Sequence, residues 1–115
     1  MPDEDMREAQ VRAVNLEHAV SDGGAAAIAA EIGDLGNYYV SLDIDGLDPS
    51  IAPGMESPEA DGLTFRQART LLRALGKQGK LVSTGIAEVN PYLDHAELTQ
   101  HIAVQLSIEV LASSV

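Results

Sequence analysis

The 115-residue chain contains no cysteine. Disulfide staples, thiolate metal sites and a cysteine nucleophile are therefore excluded, and the redox compartment is left open, with cytoplasm as the default expectation. Cations are scarce too, with 7 Lys and Arg against 18 Asp and Glu and a formal net charge of −11. Neutralising phosphates takes a cationic surface, so neither a nucleic acid nor an anionic membrane is an expected partner. Metal ions and amines suit this field better. No apolar run approaches the roughly 20 residues of a membrane span. Met1-Pro2-Asp3-Glu4-Asp5 lacks the basic flank and apolar stretch of a signal peptide, so a soluble protein is expected. Internal repeats and low-complexity runs are missing as well. With 45% hydrophobic residues, a chain this long buries one core and not two.

Residues 1–12 are acidic and weakly patterned and read as a tail or frayed helix, leaving 13–115 as the domain. Val11 to Leu16 is compatible with a short strand. Asp22 then caps a helix carrying Ala25, Ile28, Ala29 and Ile32, ended by Gly33 and Gly36. Tyr38 to Asp45 reads as a strand with a polar end. From Gly46 to Leu63 the turn signals Asp48-Pro49, Pro53-Gly54, Pro58 and Gly62 mark a long loop, a type that is usually functional or disordered. Thr64 and Gln67 form a capping box before a helix striped with Phe65, Ala68, Leu72 and Leu75. Leu81 to Val89 is a buried strand. Asp94 with Glu97 opens a last helix whose apolar residues cover more than one face. Alternating strands and helices predict an α/β fold with a parallel sheet, in which ligands sit beyond the carboxyl ends of the strands.

Asp43 and Asp45 end one such strand and Glu88 ends the other, so three carboxylates converge on one cleft. Two aspartates on one strand face repel each other unless a cation lies between them. An Asp-x-Asp pair also has a plainer use, capping a strand and accepting hydrogen bonds from loop amides.

The stretch Ser41-Leu42-Asp43-Ile44-Asp45-Gly46-Leu47-Asp48-Pro49, then Ala52-Pro53-Gly54, Ser57-Pro58-Glu59 and Gly62-Leu63-Thr64, resembles a metal-binding signature of the ureohydrolase family. That family contains arginases, agmatinases and formiminoglutamases. Glu88-Val89-Asn90-Pro91 is similar to its C-terminal strand end, and one helix separates the two motifs. The resemblance implies a three-layer α/β/α sandwich with a parallel sheet, of which this chain is the C-terminal part. It also implies two manganese ions bridged by a hydroxide that attacks a guanidinium carbon to release urea and an amine. Carried over, Asp43 bridges the metals, Asp45 binds one of them, Glu88 pairs with the guanidinium and Ser57 supplies a hydroxyl near the substrate. No acid, base or nucleophile is assigned within the chain.

The family's upstream ligand motifs, Gly-Gly-Asp-His and Asp-x-His-x-Asp, do not occur here. His18, His95 and His101 read as surface or helix-end residues. With two carboxylate ligands and no histidine, weak or absent manganese binding and an inactive isolated chain are expected. The loop departs from the family at Glu56, where a small residue is usual, and at Asp61. Glu56 either meets an extra cationic group on the substrate or points to solvent. The Lys77 to Lys80 turn before the Glu88 strand, and Glu88-Val89-Asn90-Pro91 followed by Leu93-Asp94-His95 and Thr99, lean toward arginine as substrate, with agmatine or another guanidino compound as the alternative.

Two other enzyme-site readings fit less well. Asp43-Ile44-Asp45-Gly46 imitates the haloacid-dehalogenase phosphatases, but Leu47 stands where they have a hydroxyl residue. Asp43, Asp45 and Asp48 do not follow the spacing of an EF-hand loop. A non-catalytic assembly module is the remaining alternative, since a broad apolar last helix and an exposed sheet edge call for association, as in a homo-oligomer.

Overall fold

A computed structural model describes residues 13–115, and the expected acidic tail at 1–12 lies outside the described residues. The elements are α1 (Leu16–Val20), α2 (Gly24–Ile32), β1 (Asn37–Asp43), a 3-10 helix (Ile44–Gly46), α3 (Phe65–Leu75), β2 (Lys80–Ala87) and α4 (Leu98–Ser113). β1 and β2 pair in parallel with α3 as the crossover, so the expected α/β class with a parallel sheet is what forms. The register runs from Asn37 opposite Lys80 to Asp43 opposite Ala87, with an irregularity between Tyr38 and Tyr39. No helix among the described residues is long and apolar enough to cross a membrane.

β1 alternates as a half-covered strand should. Tyr38, Val40 and Leu42 turn to the core, while Tyr39, Ser41 and Asp43 are exposed. The core-facing side meets α3 and α4, where Ala68 and Leu72 pack with Ala103, Leu106 and Val110. Tyr38 fastens strand to helix by donating its hydroxyl to the Leu75 carbonyl at 2.6 Å. Arg73 closes the helix pair from outside, with Nε 2.6 Å from Glu109 Oε2. Val104, Ile108 and Leu111 on the far side of α4 stay exposed, so its apolar residues do cover more than one face.

α3 is the element whose sequence signals are all local, and it forms where they place it. Thr64 Oγ1 accepts from the Gln67 amide at 3.2 Å and Gln67 Oε1 accepts from the Thr64 amide at 2.9 Å. The other boundaries shift. Leu16 opens a helix rather than closing a strand, because Asn15 Oδ1 accepts from the His18 amide at 2.9 Å; the Val11-Arg12 part of that expected strand lies outside the described residues. Asp22 does not cap α2. The cap position is Gly23, left-handed at φ 75°, and the Gly24 amide is taken by the Ser21 carbonyl, a turn so tight that a Cβ on Gly24 would collide with the His18 carbonyl. The stretch from Gly46 to Leu63 is not structureless either. Leu47 bridges Leu63, Asp48 Oδ1 accepts from the Ser50 amide, and Leu47, Ala52 and Met55 are buried.

α4 begins at Leu98, one turn later than Asp94 suggested, and Glu97 before it is left-handed at φ 59° without a side-chain cap. Asp94 nevertheless serves the helix. Its carboxylate accepts from the amides of His95 (2.9 Å), Thr99 (2.9 Å) and Gln100 (3.1 Å) and from Gln100 Nε2 (3.1 Å). Burial alone would raise its pKa, but the bonds from Thr99 and Gln100 outweigh it and hold the carboxyl well below the usual aspartate range.

Asp94→Ala should destabilise the chain by about 1–2 kcal/mol at neutral pH, as loss of a capping carboxylate does. A carboxyl whose folded pKa is depressed gives its stability above the unfolded pKa and loses it as pH falls through the folded value. Urea unfolding at a series of acid pH values should therefore show the gap between wild type and Asp94→Ala narrowing below the ordinary aspartate range.

Candidate active site at the strand ends

Because β1 and β2 are parallel and end in register at Asp43 and Ala87, the residues that leave the two strands emerge at the same edge. On β1 these are Asp43, Ile44 and Asp45; on β2 it is Glu88. The expected strand to Asp45 stops at Asp43, so the two aspartates do not share a strand face. Ile44 buries its side chain completely, which turns the backbone into the 3-10 helix. Asp43 Oδ1 then accepts from the Asp45 amide at 2.8 Å and caps that turn. The plainer use of the pair, capping a strand end, is thus realised at Asp43.

Asp45 is in a different position. Its Oδ1 is buried with no hydrogen-bond partner. Burial, then the neighbouring charges of Asp43 and Glu56, push its pKa above the usual aspartate value. An unpaired buried carboxylate oxygen beside two further carboxylates lacks a counter-charge, which a hard divalent cation would supply. Asp43 and Asp45 fit such a cation as two oxygen ligands. Among the described residues no group of three or more His, Asp or Glu side chains is placed to hold a metal ion, and His18, His95 and His101 are all exposed.

Two loops close over this edge and are joined at Gly54. The Gly54 amide donates to Thr99 Oγ1 at 2.8 Å, and its carbonyl accepts from the Asn90 amide at 2.7 Å. Two residues on, Glu56 Oε1 accepts from Asn90 Nδ2 at 3.1 Å. Glu56, Glu88, Val89, Asn90, Pro91 and Tyr92 line an open cavity of about 320 Å³. Ser57 sits in the same exposed bend as Glu56 but is not among these lining residues. The structure thus brings Glu88 to a cavity and Asp45 to Asp43. The Asn90 side chain, which ties Glu56 in place, carries no sign in the sequence beyond the Asn-Pro that ends a strand.

β2 ends at Ala87 rather than Val89 because Glu88 is left-handed, at φ 69°. That conformation is unfavourable by about 1–2 kcal/mol for a residue with a Cβ and is free of that penalty for glycine. Glu88→Gly should therefore raise the unfolding free energy by about 1 kcal/mol in chemical denaturation, while removing the only carboxylate that β2 brings to this edge.

The model of the arginase family matches residues 2–113. Guanidinopropionase of Pseudomonas aeruginosa is 36% identical over 114 residues, covering 96% of this chain and 36% of that protein. A putative agmatinase of Schizosaccharomyces pombe is 45% identical over 85 residues, covering 74% of this chain and 21% of that one. Among solved structures, proclavaminate amidinohydrolase from Streptomyces clavuligerus superposes with a TM-score of 0.81 at 34% identity, over 99% of this chain and 39% of that chain. Arginase from Bacillus subtilis gives 0.75 at 28% identity, over 94% and 40%. The chain spans about a third of the length of the first of these curated relatives. With carboxylates gathered at the ends of a parallel sheet and a family model that matches nearly every residue, the chain belongs to the arginase family.

Proposed function

We propose that this chain supplies the C-terminal share of a manganese-dependent ureohydrolase site acting on a guanidino compound. The observation that carries the reading is the buried, unpaired Oδ1 of Asp45 beside Asp43, at the strand edge that also presents Glu88. In the reaction, water adds to the guanidinium carbon, the bond from that carbon to the substituted nitrogen breaks, and urea and a protonated amine leave.

Each residue has a distinct part. Asp45 and the Oδ2 of Asp43 are the oxygens available to manganese, since Asp43 Oδ1 is engaged by the Asp45 amide. When bound, a pair of such cations supplies the Lewis acidity that makes water a nucleophile at neutral pH. Glu88 offers a planar carboxylate to a planar guanidinium, a match in shape as well as charge. Its left-handed backbone, at φ 69°, stands just past the end of β2. Ser57 stands one residue beyond Glu56 in the same bend and is the available hydroxyl on that loop. The names of the relatives, guanidinopropionase, agmatinase, arginase and proclavaminate amidinohydrolase, support the guanidino class and differ in the substrate they specify.

Two carboxylates hold a hard cation loosely. Calorimetric titration of manganese into the full chain should show binding with Kd on the order of millimolar, weakened at least severalfold in Asp45→Asn, and no urea from guanidino compounds. Undiminished manganese binding by Asp45→Asn would overturn the metal assignment. Urea release by this chain alone would overturn the reading of its ligand set as a partial one.

A further inference from the structure

The exposed bend from Glu56 to Asp61 carries Ser57 and is slung between two fixed points. At its far end a Cβ on Gly62 would collide with the backbone of Leu47 and Asp48, and Leu63 bridges Leu47. At its near end Gly54 and Met55 are both buried. Gly54 lies closer to Ser57 along the chain than Gly62 does, so the near end governs where Ser57 stands.

Gly54 is held by a side chain outside both strand-end motifs. Thr99, in the first turn of α4, is completely buried, and its Oγ1 accepts from the Gly54 amide at 2.8 Å. The same hydroxyl bonds the Asp94 carboxylate, which also accepts from the Thr99 amide at 2.9 Å. A hydroxyl has one proton, and with it committed to Asp94 the lone pairs of Thr99 Oγ1 are left for Gly54. Donation therefore runs one way, from the Gly54 amide through the Thr99 hydroxyl to a charge, and each bond strengthens the next. There is no slack: a Cβ on Gly54 would stand 3.0 Å from both Thr99 Oγ1 and Asp94 Cβ. Without the hydroxyl the buried Gly54 amide loses its acceptor, and an unpaired buried donor draws its backbone toward water. The bend that follows stands beside the strand ends, since Glu56 accepts from Asn90 and its charge acts on Asp45.

We propose that Thr99 is a positioning residue that, through the Gly54 amide, sets where the bend carrying Glu56 and Ser57 stands against Asp43 and Asp45. The role rests on the proposed function, in which that edge holds manganese and Ser57 lies near the substrate. Thr99 itself is sealed in the core and touches neither.

The test is NMR of the isotopically labelled full chain with manganese added to a small fraction of saturation, the paramagnetic ion broadening each amide according to its distance. In the wild type the amides of Asp45 and Gly46 should broaden together with those of Glu56 and Ser57. Thr99→Ser keeps the hydroxyl and should keep that pattern. Thr99→Val keeps the shape and removes the hydroxyl. Broadening at Glu56 and Ser57 should then fall severalfold relative to Asp45 and Gly46, with the Gly54 amide exchanging about tenfold faster. Ser107→Ala removes a hydroxyl bond from the middle of α4 and should leave the pattern unchanged. An ester in place of the Gly54 amide removes the donor while Thr99 stays, and should reproduce the Thr99→Val pattern whether or not that variant folds. Relative broadening in Thr99→Val or in the ester that matches Thr99→Ser, or that shifts equally in Ser107→Ala, overturns the proposal and leaves the metal reading standing. Wild-type broadening confined to Asp45 and Gly46 does the same. No broadening at Asp45 and Gly46 overturns the metal reading, and the role of Thr99 falls with it.

Discussion

Gly54 joins the loop after β1 to the segment after β2, which meet again where Asn90 Nδ2 donates to Glu56 Oε1. Its amide satisfies the hydroxyl oxygen of Thr99, a side chain that is completely buried, and its carbonyl takes the Asn90 amide from the segment after β2. There is no room at this junction for a side chain. A Cβ on Gly54 would stand 3.0 Å from each of the Asn90 carbonyl, Asp94 Cβ and Thr99 Oγ1. The segment after β2 and the start of α4 hang from this point. Thr99 lies in the first turn of α4, Asp94 holds that turn by its amides, and Asn90 places Glu56. A polar junction inside the fold fixes geometry more sharply than apolar contact, because buried donors and acceptors tolerate few arrangements.

The same junction separates what the sequence discloses from what it hides. α3 was legible in full, since its capping box spans the four residues from Thr64 to Gln67 and its apolar stripe lies within the eleven of the helix. β1 was legible in its middle, where Tyr38, Val40 and Leu42 supply the pattern of a covered face. β2, expected to be buried, has no buried residue and leaves Val82 57% exposed, because only Leu81 and Ile86 of its apolar run pack on the core. The ends of neither strand were legible. β1 stops at Asp43 because Ile44 must reach the core, and β2 stops at Ala87 because Glu88 turns left-handed; both are decided by contacts far along the chain. The start of α2 misled for a related reason. Asp22 has the chemistry of a cap, but the turn out of α1 leaves space for Gly24 alone against the His18 carbonyl.

For the site, local motifs carried Asp43, Asp45 and Glu88 to one edge of the sheet, because parallel topology alone ensures that strand ends coincide. The pairing of Glu56 with Asn90 was beyond them. It spans 34 residues and depends on a loop whose Leu47, Ala52 and Met55 are core residues despite the turn signals around them. A stretch rich in Pro and Gly can be as fixed as a helix when its few apolar side chains are buried.

The hydrogen bond from the Asp45 amide to Asp43 Oδ1 also orders the ways in which this edge can be lost. Asp45 can be exchanged while the 3-10 turn keeps its cap, so its carboxylate disappears alone. Exchange of Asp43 removes a carboxylate and the cap together, leaving the turn to the buried Ile44 and the bond from the Leu47 amide to the Ile44 carbonyl. The two positions are therefore epistatic and asymmetric. Exchange of Asp45 touches one carboxylate alone, whereas exchange of Asp43 touches its own carboxylate and the cap that helps place its neighbour.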